Sequence, residues 1–223
     1  MALFDIDGTL LHAKGAGKRA LEQAIETHFG IKDGLAEVRL DGKTDPQIIQ
    51  EALAQHQYSD EELLTPAFRE MYRNNLADEL AQCQHFSVLP GVCRLLKALS
   101  EDDDFEVGIA TGNMQEGATL KLEKAGLESY FSFGGYGCDS ADRTKVIQAA
   151  ILRGRQLISV AVREIFVIGD TLRDVIHGKE AGARVIAVAT GSYDVEELGR
   201  CGADLVLQSL DPARTPLAFM RAG

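Results

Sequence analysis

Apolar residues along this chain alternate between two patterns. Short, nearly continuous apolar runs, rich in β-branched side chains, occupy Met1 to Phe4, Phe105 to Thr111, Glu164 to Asp170, Ala183 to Thr190 and Asp204 to Leu210, with a weaker one at Tyr130 to Gly137. Runs of this kind mark strands buried on both faces, and the helical patterns between them predict parallel strands joined through helices. Among those patterns, Ala20, Leu21, Ala24, Ile25, His28 and Phe29 share one helix face that ends at Gly30. Ile48, Ile49, Ala52 and Leu53 form a second face. A third helix is predicted to open at Ser59 with Glu62 three residues on, a capping-box spacing, and to continue through Phe68, Met71, Tyr72, Leu76 and Leu80. Pro90 suits a first helical turn, with Val92, Leu95, Leu96 and Leu99 facing the core, and the acidic run 100–104 closes that helix as a solvated turn.

About 70 residues of helical pattern separate the first strand from the second, far more than a single crossover needs. The predicted fold class is therefore α/β: a doubly wound parallel sheet of Rossmann-like type with an inserted helical domain. The core covers residues 1–13 and 85–223, and the insertion covers 14–84. In such sheets the ligand site lies at the carboxyl ends of the strands.

Composition narrows the partners. The chain of 223 residues carries a formal net charge of -11, which disfavours binding to nucleic acid or to an anionic membrane surface. No apolar run approaches the roughly 18 residues of a membrane span, and no basic stretch followed by an apolar block marks a secretion signal. Cys83, Cys93, Cys138 and Cys201 lack paired spacing, so they read as reduced thiols, mostly small core residues, of a cytoplasmic protein. Oligomeric state has no signature in the sequence.

The candidate chemistry collects where strands end. "FDIDGTLL" places Asp5 and Asp7 at the end of a buried run, where ionised carboxylates are expensive. Asp-Gly-Thr alone is ordinary turn chemistry, but two later strands end in "ATGN" (110–113) and "GDTLRD" (169–174). Parallel strands bring these ends to one edge, so Asp5, Asp7, Thr111, Asp170 and Asp174 are expected to converge. Four carboxylates in one crevice call for a divalent cation, and hard oxygen ligands suit Mg2+. The Thr111 hydroxyl with the N–H groups of Gly112 and Asn113 would cradle an anion. Arg143 or Lys145, at the start of a helix, would supply positive charge.

In this order, "DIDGTL", "ATGN", a basic residue before a helix, and "GDTLRD" resemble the haloacid dehalogenase superfamily. The insertion after the first motif resembles the helical cap of its phosphoglycolate phosphatase-like branch. The resemblance implies that Asp5 is a nucleophile that forms an aspartyl-phosphate and Asp7 a general acid/base. It implies Mg2+ held by Asp5, the Asp7 carbonyl and Asp170, with Asp174 in support, and Thr111 on the transferring phosphoryl group. Aspartate at position 7 favours ester hydrolysis. The Lys-Pro loop of many relatives is absent; Arg143, at the loop-to-helix junction, stands somewhat ahead of Lys145, one or two positions deeper, as the active-site cation. In relatives the cap loop equivalent to residues 40–45 reads the substrate, so Lys43 and Thr44 are possible contacts, although the stretch also reads as a surface turn. It is not a P-loop, because Glu37 stands where that motif needs glycine.

The expected function is a Mg2+-dependent phosphatase acting on a small phosphorylated metabolite. The alternatives are a phosphomutase of the beta-phosphoglucomutase type and, in another class, a phospho-accepting signalling domain.

Overall fold

A computed structural model describes residues 1–54, 56, 64–157 and 162–222. Six strands form one parallel sheet in the order β5-β4-β1-β6-β7-β8. They are β1 (Ala2–Phe4), β4 (Val107–Ala110), β5 (Gly134–Gly135), β6 (Phe166–Gly169), β7 (Arg184–Val188) and β8 (Leu205–Leu207). Each predicted apolar run thus contains a strand, shorter than the run itself, and the sheet is the doubly wound α/β arrangement expected. Alternation along the first strand fixes its two faces. Ala2 and Phe4 join one buried apolar cluster, while Met1 and Leu3 join a second on the opposite face of the sheet.

The central position of β1 decides where the chemistry lands. Phe4 is level with Ile109 of β4 on one side and with Ile168 of β6 on the other. The residues just beyond these three strands therefore leave the sheet side by side, and they are Asp5, Thr111 and Asp170.

Between β2 (Leu11–His12) and β3 (Ser87–Val88), an antiparallel ribbon, lie the inserted helices α1 (Ala16–Phe29), α2 (Asp45–Ala52) and α3 (Pro66–Gln82). Helix α1 ends at Gly30 as expected, in the left-handed conformation that glycine adopts without strain. Helix α3 opens with Thr65, whose hydroxyl accepts the Phe68 N–H at 3.2 Å, and it buries Phe68, Tyr72, Leu76 and Leu80. The expected start at Ser59 and Glu62 lies outside the described residues. The apolar cluster that holds Phe4 and Ile168 runs on through Leu10 and Leu11 to Leu21, Ile25, Phe68 and Leu76, so core and insertion share one packed interior.

The remaining helices cover the sheet: α4 (Val92–Ser100), α5 (Gln115–Ala125), α6 (Arg143–Leu157), α7 (Leu172–Glu180), α8 (Val195–Arg200) and α9 (Arg214–Arg221). Two local expectations change. Pro90 precedes α4 instead of opening it, because Gly91 takes the capping position with a φ of 88°. The acidic run is not wholly solvated, since Asp102 accepts hydrogen bonds from Arg221 of α9. All four cysteines are unpaired, but none is fully buried, and Cys93 is exposed. Among the described residues no helix is long and apolar enough to cross a membrane.

Ile168 is fully buried on β6, two residues before Asp170. Replacing it with alanine should cost about 2–5 kcal/mol. For a chain of this size that lowers the thermal midpoint by roughly 5–15 °C in a circular-dichroism melt. An unchanged midpoint would contradict the described packing.

Candidate active site

The turn after β1 carries the first carboxylates. Gly8 adopts a φ of 82°, and a Cβ there would lie 2.3 Å from an Asp170 carboxylate oxygen, so this turn requires glycine. Gly191 presses on the same carboxylate, since its Cβ would come within 1.8 Å of Oδ2. Thr9 donates to Asp170 Oδ1 at 2.9 Å, and Thr190 donates to the Gly8 carbonyl at 2.5 Å. Backbone and hydroxyls from two loops thus hold Asp170 in one place.

Asp5, Asp170 and Asp174 are all buried, with carboxylate oxygens within 4.8 Å of one another. Arg143, first residue of α6 and itself buried, answers part of this charge. Its Nη2 lies 3.0 Å from Asp5 Oδ1 and 2.6 Å from Asp174 Oδ1, and its Nε donates to the latter at 3.0 Å. The second oxygen of Asp174 accepts the Thr171 hydroxyl at 2.7 Å and the Thr171 N–H at 3.0 Å, which caps α7. Both Asp174 oxygens are therefore engaged, and this residue braces Arg143 and the turn after β6.

Burial raises the Asp5 pKa to about 6, with the Arg143 charge opposing and Asp174 and Asp7 adding to the rise. Burial and the charges of Asp174 and Asp5 push Asp170 well above the ordinary carboxylate range. For Arg143, burial works against the charge, but Asp174 and Asp5 outweigh it and its pKa rises. Three carboxylates against one guanidinium leave a deficit of two positive charges. A hard divalent cation supplies that charge and suits an all-oxygen donor set, so the cluster fits such an ion.

Above the cluster lies a cavity of about 340 Å³ whose wall includes Asp5, Asp7, Gly112, Asn113, Arg143 and Asp170. Thr111 is fully buried behind that wall, and its hydroxyl accepts the Asn113 N–H at 3.3 Å. That N–H, expected to face an anion, is thus directed at Thr111. Lys145 does not reach the site. Two residues past Arg143 turns a helix by about 200°, which leaves Lys145 exposed and off the cavity wall. The cation at the cluster is Arg143.

The loop 40–45 of the insertion sits directly on the core. A Cβ at Gly112 would lie 2.2 Å from the Lys43 carbonyl oxygen, and a Cβ at Gly42 would lie 2.6 Å from the Thr171 hydroxyl. The Asp45 N–H donates to the Gly112 carbonyl at 2.7 Å, and the Asp45 carboxylate accepts the Met114 N–H at 2.7 Å. Lys43 lines the cavity, but its ammonium is paired with Glu51. Thr44 is a correction to the expected substrate contact. Its hydroxyl donates to the Ala141 carbonyl at 3.0 Å and accepts the Gln47 N–H at 3.3 Å as the cap of α2.

Sequence reasoning missed three residues on the cavity wall: Lys121, Asp45 and Tyr72, all buried. Lys121 bonds both the Asp7 carboxylate and Asn113 Oδ1. Its signal was helical phase, because Gly117, Ala118 and Leu122 mark the buried face of α5 and Lys121 stands on it. Tyr72 belonged to a predicted apolar face, where a tyrosine that lines a cavity looks like any core residue.

Residues 2–188 match the profile of haloacid dehalogenase-like hydrolases. The phosphoglycolate phosphatase of Chromobacterium violaceum is 29% identical over 226 residues, covering 93% of this chain and 91% of that protein. Among solved structures, a predicted phosphatase from Clostridium acetobutylicum superposes with a TM-score of 0.69 at 21% identity over 97% of both chains. A candidate beta-phosphoglucomutase from Thermotoga maritima gives 0.62 at 19% identity, again over 97% of both. At these identities the structural matches concern the fold.

Asp45 yields a pH prediction. Burial raises its pKa to about 6, against the opposing effects of Lys121 and the Met114 N–H. Between the ordinary carboxylate pKa and that value the folded protein binds the extra proton, so this group's contribution to stability falls as pH rises through the window. Asp45→Asn lacks the titration. The stability of the native chain relative to the variant should drop by on the order of 3 kcal/mol from about pH 4 to pH 7. Chemical denaturation at several pH values measures it, and a constant difference would contradict the assignment.

Proposed function

This chain belongs to the haloacid dehalogenase-like hydrolases, and from that premise we propose that it is a Mg2+-dependent phosphatase of small phosphorylated metabolites working through an aspartyl-phosphate at Asp5. One observation carries the reading. Asp5, buried at the cavity floor against Arg143, is followed two residues later by a second carboxylate that faces the same cavity. Two carboxylates with unequal surroundings suit a nucleophile and an acid/base.

In the first step an Asp5 oxygen attacks phosphorus, the bond to the leaving oxygen breaks, and Asp7 gives that oxygen a proton. In the second, Asp7 takes a proton from water, the water oxygen attacks phosphorus, and the bond to Asp5 breaks. Arg143 keeps the Asp5 carboxylate ionised and oriented, at 3.0 Å from Oδ1. By resemblance to the family, Asp5, the Asp7 carbonyl and Asp170, with Asp174 in support, would hold Mg2+, which would offset charge on the phosphoryl oxygens. Gly112 and Asn113 form the wall on the phosphoryl side with Thr111 buried behind them, and the helical insertion acts as a cap whose loop 40–45 excludes water. A cavity of about 340 Å³ holds a small ester, in keeping with the name of the Chromobacterium relative. Free phosphate as product separates this reading from a phosphomutase, which returns the group to sugar.

Asp5→Asn should abolish phosphate release from p-nitrophenyl phosphate while the protein still folds and melts cooperatively. Removing divalent ions with EDTA should silence the native enzyme, and added Mg2+ should restore it. Retained turnover in pure Asp5→Asn protein would overturn the assignment.

A further inference from the structure

Lys121 is 3% exposed, on the second turn of α5, and a buried ammonium is costly unless it is fully engaged. Its partners are specific. The ammonium donates to Asp7 Oδ2 and, at 2.6 Å, to Asn113 Oδ1. A Cβ on Gly17 of α1 would lie 3.4 Å from Nζ, so the insertion closes over the ammonium. Asp7 itself is less confined, with a side chain 41% exposed at the cavity wall. The Asp5, Asp170 and Asp174 charges repel its carboxylate, so the cation opposite determines where that carboxylate rests.

We propose that Lys121 is a positioning residue for proton transfer: by holding Asp7 Oδ2 beside Asn113, it aims Asp7 Oδ1 at the oxygen of the departing alcohol. This rests on the phosphatase reading above and adds a residue to it. The proton on Oδ1 passes to the leaving oxygen as the phosphorus–oxygen bond breaks, and Asp7 remains as a carboxylate on Lys121. Without the ammonium, the Asp7 side chain rotates among its staggered conformers and the proton is seldom in line.

The test is leaving-group dependence. Phenyl phosphate, 4-nitrophenyl phosphate and 2,4-dinitrophenyl phosphate have similar shapes, but phenoxide needs a proton to depart and dinitrophenoxide does not. General acid catalysis is worth roughly 10²–10⁴-fold, so Lys121→Met should lower kcat/KM on phenyl phosphate, which reports the step in which the leaving group departs and not the later hydrolysis at Asp5, by about 100-fold. Its kcat/KM on the dinitrophenyl ester should stay within about 3-fold of the native enzyme, because that departure draws little on the acid. The ratio of the two rates on one preparation does not depend on how much of it is folded. Should Lys121→Met not accumulate, Lys121→Gln, which also lacks the ammonium, is read in the same way. In an Asp7→Asn background, Lys121→Met should add almost nothing to the loss on phenyl phosphate.

An equal loss on all three esters, no loss on any, or losses that simply add to that of Asp7→Asn would overturn this proposal and leave the phosphatase reading standing. Activity surviving in Asp5→Asn would instead overturn the reading beneath it.

Discussion

Like charges packed into a dry place are the constraint on which the rest of this structure depends. At an effective dielectric of about 20, two carboxylates 4.8 Å apart repel by about 3–4 kcal/mol, and Asp5, Asp170 and Asp174 make three such pairs. Parallel strands in register impose this crowding, because they deliver their terminal residues to one edge of the sheet. Arg143 relieves part of it with contacts to both Asp5 and Asp174. The unbalanced remainder suits the site to a cation, on which the proposed phosphatase chemistry depends.

The insertion is built into the same electrostatics. Its loop closes on Gly112 and Thr171 at distances only glycine permits, and Asp45 joins it to the backbone of the loop that carries Thr111 and Asn113. Lys121 stands where these parts meet, between the Asp7 carboxylate, the Asn113 side chain and the start of α1. The apolar interior is continuous from sheet to insertion, so closing the cavity and packing the core are one event.

What could be read from the sequence followed from repetition. Five apolar runs between helical patterns specify a parallel sheet, and its topology then gathers Asp5, Asp7, Asp170 and Asp174 without any knowledge of contacts. Arg143 and Lys145 were separable only by helical phase, which the true start of α6 sets. The β2–β3 ribbon spans two residues per strand, too short to show a period. Thr44 is a possible ligand contact by sequence, but Pro46 after it is the signature of a helix start, and there its hydroxyl is consumed. Lys121 and Asp45 are single polar residues on elements read for their apolar faces, and only tertiary packing shows that each is buried against a charge or a backbone N–H.

The most direct measurement is a crystal structure of the native protein grown with Mg2+. The account predicts one ion shared by Asp5 and Asp170, with Arg143 still bridging Asp5 and Asp174 beside it. An ion bound elsewhere, or Asp5 and Asp170 too far apart to share one, would contradict it.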